Sequence, residues 1–448
     1  MIPCDLLLDN VTIVTSDPRT PVIRDGAIAV AGSRLCFVRP AAEAGPLRPL
    51  RRLSMAGRVV TPGFVNVHTH AILSMVRGVA EDLGFAPAYT PGIPHGHDVT
   101  PEDAWALARL GALEALMFGS TLINDSFVHA EVTVEAMASL GLRVWSCGRI
   151  HDADFSQIGD GRWSYHGEIG DKTLGAAVAL AGRWHGKADG RIGVQFAAHA
   201  PDTCSDAFLA RIAATADHLG LRLNTHLAQS RAEVRQVRAR SGRSPVEVLD
   251  AAGLLNDRLI ATHCLFLDDG EIERIGRAGV HIAHIPKGNA TGGTVAPTAK
   301  LRAAGAKLVL GTDNMHADMV EVMRWALAMG RVQAGDVPED WQPAHVLQWA
   351  TMGGAAAMGL DDQIGSLEVG KKADFVVFDF RRPHLTPLLN PIGSLVHVAQ
   401  GRDVEMVVVD GRVVVEDGQP TLADMAEICR EGQAAADRLW RVARGGAS

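Results

Sequence analysis

Residues 59–82 read VVTPGFVNVHTHAILSMVRGVAED, and this stretch decides the fold. Pro62 and Gly63 break the start of an apolar run that ends in His68-Thr69-His70. Such a run has the composition of a buried strand. Side chains alternate with a period of two along a strand, so His68 and His70 point to the same side. Two imidazoles side by side at the carboxyl end of a strand can both reach one metal ion. Taken alone, the pair fits two half-buried structural histidines equally well. The rest of the chain separates the two possibilities.

From residue 61 to about 360 the pattern is strand then helix, repeated. Apolar strand-like segments recur at 121–127, 143–150, 192–199, 222–226, 259–264, 281–285 and 307–311. With the strand before His68 there are eight. Helical periodicity fills most of the intervals, at 101–118, 132–140, 206–219, 232–241 and 298–304. Thr100 is the expected N-cap of the first of these, with Pro101 at the first helical position. Eight consecutive β–α units with apolar strands specify a parallel (β/α)8 TIM barrel rather than an open sheet. Metal-capable residues fall at the carboxyl ends of these strands: His68 and His70, His199, His226, His263 and Asp313. In a barrel those ends surround one mouth. Singly, each histidine fits a hydrogen-bonded core residue, and Asp313 in Gly-Thr-Asp-Asn fits a turn former. Jointly, they form a constellation that chance does not readily supply.

The two chain ends are different. Residues 1–60 read as short strands at 6–14, 27–30, 35–38 and from 58 onward. So small a β unit cannot cover its own faces and is expected to find partner strands elsewhere. Residues 361–420 return to β character at 375–379, 405–409 and 412–416, with Asp410-Gly411 as a hairpin signal. Residues 1–60 and 361–420 are therefore expected to build one composite β-sandwich beside a barrel of residues 61–360. Residues 421–448 are expected to form a C-terminal helix, periodic over 422–444.

Composition bounds the function. The 448 residues suffice for one large domain and a smaller one, and 47% of them are hydrophobic. A net charge of −8 argues against a nucleic-acid surface. No apolar run is long enough to span a membrane. The N-terminal MIPCDLLLDNVTIV lacks the charged region and cleavage site of a signal peptide. Six scattered cysteines without a CxxC pair fit a reducing cytoplasm. A homo-oligomer, a dimer or tetramer, acting on a small-molecule substrate is expected.

The chain resembles the amidohydrolase superfamily, in the branch of S-adenosylhomocysteine deaminases and triazine hydrolases. The resemblance rests on TPGFVNVHTH (61–70), RGVAEDL (77–83), HAPDTCSD (199–206), NTHLAQS (224–230), THC (262–264), GTDN (311–314) with Asp318-Met319, and GSLEVGKKADFVVFD (365–379). It covers nearly the whole chain, in order. It implies that His68, His70, His226 and Asp313 hold one divalent metal ion, zinc first and iron second. Three neutral imidazoles and a carboxylate suit such an ion and leave a position for water, which the ion acidifies. It further implies Asp313 as general base, His263 as a partner of the attacking water or of the electrophilic carbon, and His199 as a substrate contact. His284 and Asn289 match the family's strand-seven segment, while Lys287 and Gly288 are this chain's own.

The chain departs from the family at two places. Deaminases of this branch carry a glutamate three residues after the strand-five histidine, which protonates a ring nitrogen. Here that position is Gln229, and an amide donates a hydrogen bond but no proton. Glu233, one helical turn on, is expected to be a solvated helix charge. The nucleoside deaminases also have a tryptophan and a glutamate in the loop after strand one. Here that loop reads GFAPAYTPGIPHGHD, with neither, which points away from a nucleoside. Tyr89 is placed to stack on a planar substrate, and His95 and His97 are read as loop histidines. Arg149 would bind an anionic group or make an ion pair at the barrel rim, Asn314 is a substrate contact beside Asp313, and Cys264 packs.

These features imply a metal-dependent hydrolase of a non-peptide C–N bond in a small nitrogen-rich molecule, by deamination or ring-amide hydrolysis of a heterocycle. Gln229, His263 and Asp313 are the expected catalytic residues. The alternatives are displacement of chloride or an alkylamine, opening of a urea-like bond, or an inactive scaffold homologue. The last would be expected to have lost metal ligands, and all four are present.

Overall fold

The computed structural model describes residues 2–83, 90, 92–314 and 316–445. Eight parallel strands form a nearly closed barrel: β1 (Phe64–Thr69), β2 (Ser120–Phe127), β3 (Arg143–Ile150), β4 (Ile192–Val194, continued by Phe196–Ala198), β5 (Leu223–Leu227), β6 (Leu259–His263), β7 (His281–His284) and β8 (Lys307–Leu310). They hydrogen-bond in chain order. Nearly every strand residue is buried, as expected of parallel strands covered on both faces.

The period of two in β1 is borne out. Val65 and Val67 enter one apolar cluster with Leu122, Val309 and the helix Met352–Met358. On the opposite side Asn66 donates to Thr312 Oγ1 at 2.8 Å. Closure between β8 and β1 runs through the residues just past β8. His70 N donates to Asp313 O at 2.9 Å, and Asp313 N donates to His68 O at 3.0 Å. A Cβ at Gly311 would lie 2.9 Å from His68 O, so this close approach requires glycine. The strand expected over 192–199 is split at Gln195, which is buried.

The helices follow the sequence closely. Pro101–Met117 starts as expected, with Thr100 Oγ1 accepting from Asp103 N at 3.2 Å, and Asp206–Leu219 has the expected bounds. The last helix is Met425–Ala443 and begins later than residue 422. Asp424 is its N-cap, accepting from Ala426 N and Glu427 N.

Both chain ends build one nine-stranded sheet beside the barrel. Its central seam pairs Arg58–Pro62 antiparallel with Phe375–Asp379, so that Pro62 lies opposite Phe375. Leu8, Ile13, Ile28 and Val60 from one end share an apolar cluster with Phe375 and Val408 from the other. Asp410 and Gly411 both have positive φ, 51° and 81°, in the hairpin between Val404–Val409 and Arg412–Glu416. The strand Leu47–Ser54, LRPLRRLS, had no alternating apolar signal. It pairs parallel with Ile2–Val14, and its arginines reach carboxylates instead: Arg52 meets Asp9 at 2.6 Å, and Arg51 meets Glu416.

Candidate active site

Each histidine of the mouth is fixed through one ring nitrogen and offers the other. His70 Nδ1 lies 2.5 Å from Ser126 O, His226 Nδ1 lies 2.7 Å from His199 O, and His68 Nδ1 lies 3.1 Å from Thr262 Oγ1. Carbonyl oxygens only accept, so His70 and His226 carry their protons on Nδ1. Their Nε2 lone pairs then face one another at 3.3 Å with no proton between them. Asp313 Oδ1 stands 3.4 Å from His70 Nε2 and 3.5 Å from His68 Nε2. His68 Nε2 is buried and has no hydrogen-bond partner among the described residues. The lone pairs of His70 and His226 thus stand opposite each other, with His68 and the Asp313 carboxylate beside His70, a donor set that a divalent cation satisfies. Ring nitrogens of His68, His70 and His226 all lie within 4.8 Å of one another, as do ligand atoms of His68, His263 and Asp313.

The electrostatics agree. Burial, then the neighbouring His68, pushes His70 down to about 3. Burial also holds His226 and His199 well below the ordinary range, aided by His68 at the first and by Arg149 at the second. These rings are neutral, with their lone pairs available. Burial alone would raise Asp313, but the His68 ring beside it, then those of His263 and His70, hold it below the usual carboxylate range. The backbone is bent at the same places. Asp313, His263, Cys264 and Ala228 all have positive φ, at 64°, 74°, 53° and 48°, the strain that clusters at functional sites.

The other residues singled out in the sequence surround this centre. His263 Nδ1 lies 3.0 Å from Asn289 Oδ1, and its Nε2 is 3.9 Å from Asp313 Oδ2. His199 Nδ1 lies 2.9 Å from Thr203 Oγ1, and its ring is 5.0 Å from that of His226. Gln229 and Asn314 are buried. Arg149 lies over the Phe127 ring at 4.0 Å, and both line a cavity of about 1000 Å³ with His151 and Phe155. Burial pushes the Cys264 thiol far up, so it packs and does not act as a nucleophile. Tyr89 lies outside the described residues.

These features settle the family. The amidohydrolase family matches residues 59–414. The chain belongs to it. This amidohydrolase is 37% identical over 445 residues, 97% of its length and 99% of the relative's, to 5-methylthioadenosine/S-adenosylhomocysteine deaminase of Pelotomaculum thermopropionicum. It superposes on a zinc-bound adenosine deaminase of Xanthomonas campestris with a TM-score of 0.88 and 30% identity, over 98% of this chain and 99% of that one. It shares the fold, at 21% identity and a TM-score of 0.84, with a zinc-bound atrazine chlorohydrolase of Arthrobacter aurescens, over 96% of this chain and 100% of that one. The amidohydrolase is therefore an enzyme, a metal-dependent hydrolase acting on a C–N bond outside a peptide.

Two carboxyl groups differ from what the sequence leads one to expect. Glu233 is not a solvated charge: it is fully buried, and its carboxylate accepts from Ala228 N at 2.7 Å and Gln229 N at 2.8 Å. A signal existed in Ser230-Arg-Ala-Glu233, the spacing of a capping box. Ser230 does cap the helix Arg231–Ser241, but the glutamate turns back past it to clasp the two preceding amides. Asp125 in β2 is the second. Burial pushes its carboxyl up to about 7 against the opposing N–H of Ala71, which donates to it at 2.8 Å. An aspartate inside the strand-like segment 121–127 was its only sequence signal.

Proposed function

We propose that this amidohydrolase deaminates an amino-substituted heteroaromatic ring, with one zinc ion held by His68, His70, His226 and Asp313. Iron suits the same donors. The observation that carries the proposal is the approach of His68 Nε2 and His70 Nε2 to the Asp313 carboxylate, with His226 Nε2 lying 3.3 Å from His70 Nε2. An ion bound there supplies Lewis acidity and makes hydroxide available at neutral pH.

The chain's own residues do the rest. Asp313, kept ionised, accepts a proton from the attacking water and returns it to the departing amine, so that water and the amino ring give the hydroxy ring and ammonia. His263, steadied by Asn289, accepts a hydrogen bond from the attacking oxygen through Nε2. Gln229 donates an amide N–H to the ring. His199, Arg149 and Asn314 face the substrate. Methylthioadenosine and S-adenosylhomocysteine, named for the bacterial relative, carry a 6-aminopurine, and rings of that size are the first class to test. Gln229 also supports a second reaction, hydrolysis of a ring amide, because a carbonyl needs a hydrogen bond rather than a proton at that point.

The test is metal analysis together with ammonia release across amino-purines, amino-pteridines and cyclic amides. We expect about one ion per chain, because a rigid barrel preorganises its ligands, and loss of that ion in the double variant His68→Ala/His226→Ala. Equal metal in the variant removes the ligand assignment. A metal-loaded wild type that releases no ammonia and opens no ring amide removes the reaction.

A further inference from the structure

A smaller cavity, of about 360 Å³, opens on the β7–β8 side of the centre with Asp313 and Asn314 in its wall. Among the polar side chains that line it are Lys287 after β7, His316 after β8, and Glu321 in the first turn of the helix Met319–Ala334. Lys287 Nζ donates to Glu321 Oε2 at 2.8 Å, and the two side chains keep 30% and 35% of their exposure. Neither ring nitrogen of His316 has a hydrogen-bond partner among the described residues, although both are out of contact with solvent. Of the three other carboxylates in the wall, Glu81 keeps one buried oxygen without a hydrogen-bond partner among the described residues, and two are engaged. Glu114 pairs with Arg77, and Asp318 accepts from Val320 N and Glu321 N.

A lysine beside a carboxylate presents a strong donor next to a strong acceptor. Burial, then the Lys287 charge, pushes His316 down to about 4, so its neutral ring adds one N–H and one lone pair. A ring whose only polar substituent is the departing amine would turn C–H toward this wall and cover two charges with carbon, which is costly. A ring amide offers C=O beside N–H, the complement of the pair. We propose that Lys287, Glu321 and His316 recognise such an edge, so that the preferred substrate is an amino-heterocycle that also carries a ring lactam. This rests on the deaminase assignment above and narrows it.

The experiment compares matched rings at equal metal content. Guanine against 2-aminopurine, and pterin against 2-aminopteridine, differ only in the lactam, and kcat/KM is measured for each. Hypoxanthine against purine, neither with an amine to lose, is compared by calorimetric binding. The lactam member is expected to win by about tenfold or more in both assays, the worth of one hydrogen bond to a charged group. In Lys287→Met and Glu321→Gln that ratio is expected to fall toward one, in His316→Phe to fall severalfold, and in Lys287→Arg to be largely kept. A wild type without lactam preference, or a preference that survives both Lys287→Met and Glu321→Gln, overturns the proposal. If no amine is released from any ring, the deaminase assignment fails, and the hypoxanthine-to-purine binding ratio still decides the recognition edge.

Discussion

Glu233→Ala should be among the most damaging substitutions that leave all four proposed metal ligands in place. The carboxylate is fully buried and is the partner of two backbone donors, Ala228 N and Gln229 N, at 2.7 and 2.8 Å. A buried donor left unpaired costs about 1–3 kcal/mol, so stranding both costs about 2–6 kcal/mol. The void left by the shortened side chain adds to this. Ala228 sits at φ 48°, a conformation that persists only when its surroundings impose it. Releasing that turn loosens Gln229 and the end of β5. The assay is urea denaturation, with kcat and metal content measured alongside. Expected are a stability loss of about 2 kcal/mol or more, a fall in kcat, and metal content near wild type. Glu233→Gln, which keeps one acceptor oxygen, should lose less. Burial, then Asp202, holds the Glu233 carboxyl well above its ordinary value. A folded value above the unfolded one contributes stability at low pH that is lost as pH rises, so the deficit of Glu233→Gln should narrow with rising pH. A Glu233→Ala protein within about 0.5 kcal/mol of wild type, the range of a surface charge, would refute the reasoning.

Three further outcomes are expected. Asp313→Asn keeps the shape of the side chain and removes the base, so turnover should fall about 10²–10⁴-fold in metal-loaded protein, and near-normal kcat would contradict the role given to Asp313. Gln229→Glu should lower kcat/KM on the best substrate about tenfold, about 1.4 kcal/mol of transition-state stabilisation, because the new carboxylate joins the buried Glu233 and repels the lone pair of the ring atom to which Gln229 donates; a faster variant would mean that the reaction wanted a proton there. Asp125, raised to about 7 from an ordinary value of 3.8, takes up a proton on folding, so stability should fall as pH rises from about 4 through 7. Asp125→Asn should flatten that part of the melting-temperature profile, and an unchanged slope would count against a raised carboxyl.

The barrel and its centre were legible because both are written in periodic signals. Eight apolar runs, each ending in or near a polar residue, give strand order and the mouth together, and the alternation in β1 puts His68 and His70 on one side. What escaped was set by tertiary contacts that carry no period. The strand Leu47–Ser54 is rich in arginine and looks like a loop until Asp9 and Glu416 are seen opposite it. Glu233 looks like a helix charge, because the capping-box spacing from Ser230 does not say that its carboxylate reaches past the cap to the amides of Ala228 and Gln229. The roles of Thr262 and Asn289 as outer partners of His68 and His263 depend on which strands are neighbours, a relation that only the closed barrel defines.

The seam that pairs Arg58–Pro62 with Phe375–Asp379 has a consequence for synthesis. Residue 62 emerges from the ribosome early, and its partner at residue 375 emerges only after every barrel strand has been made. Until then one flank of Arg58–Pro62 is an open edge, able to pair with any passing strand. Long-range pairing of this kind forms slowly. A nascent chain halted inside the barrel should therefore expose that edge, and chaperone demand should drop once the segment around residue 379 is released.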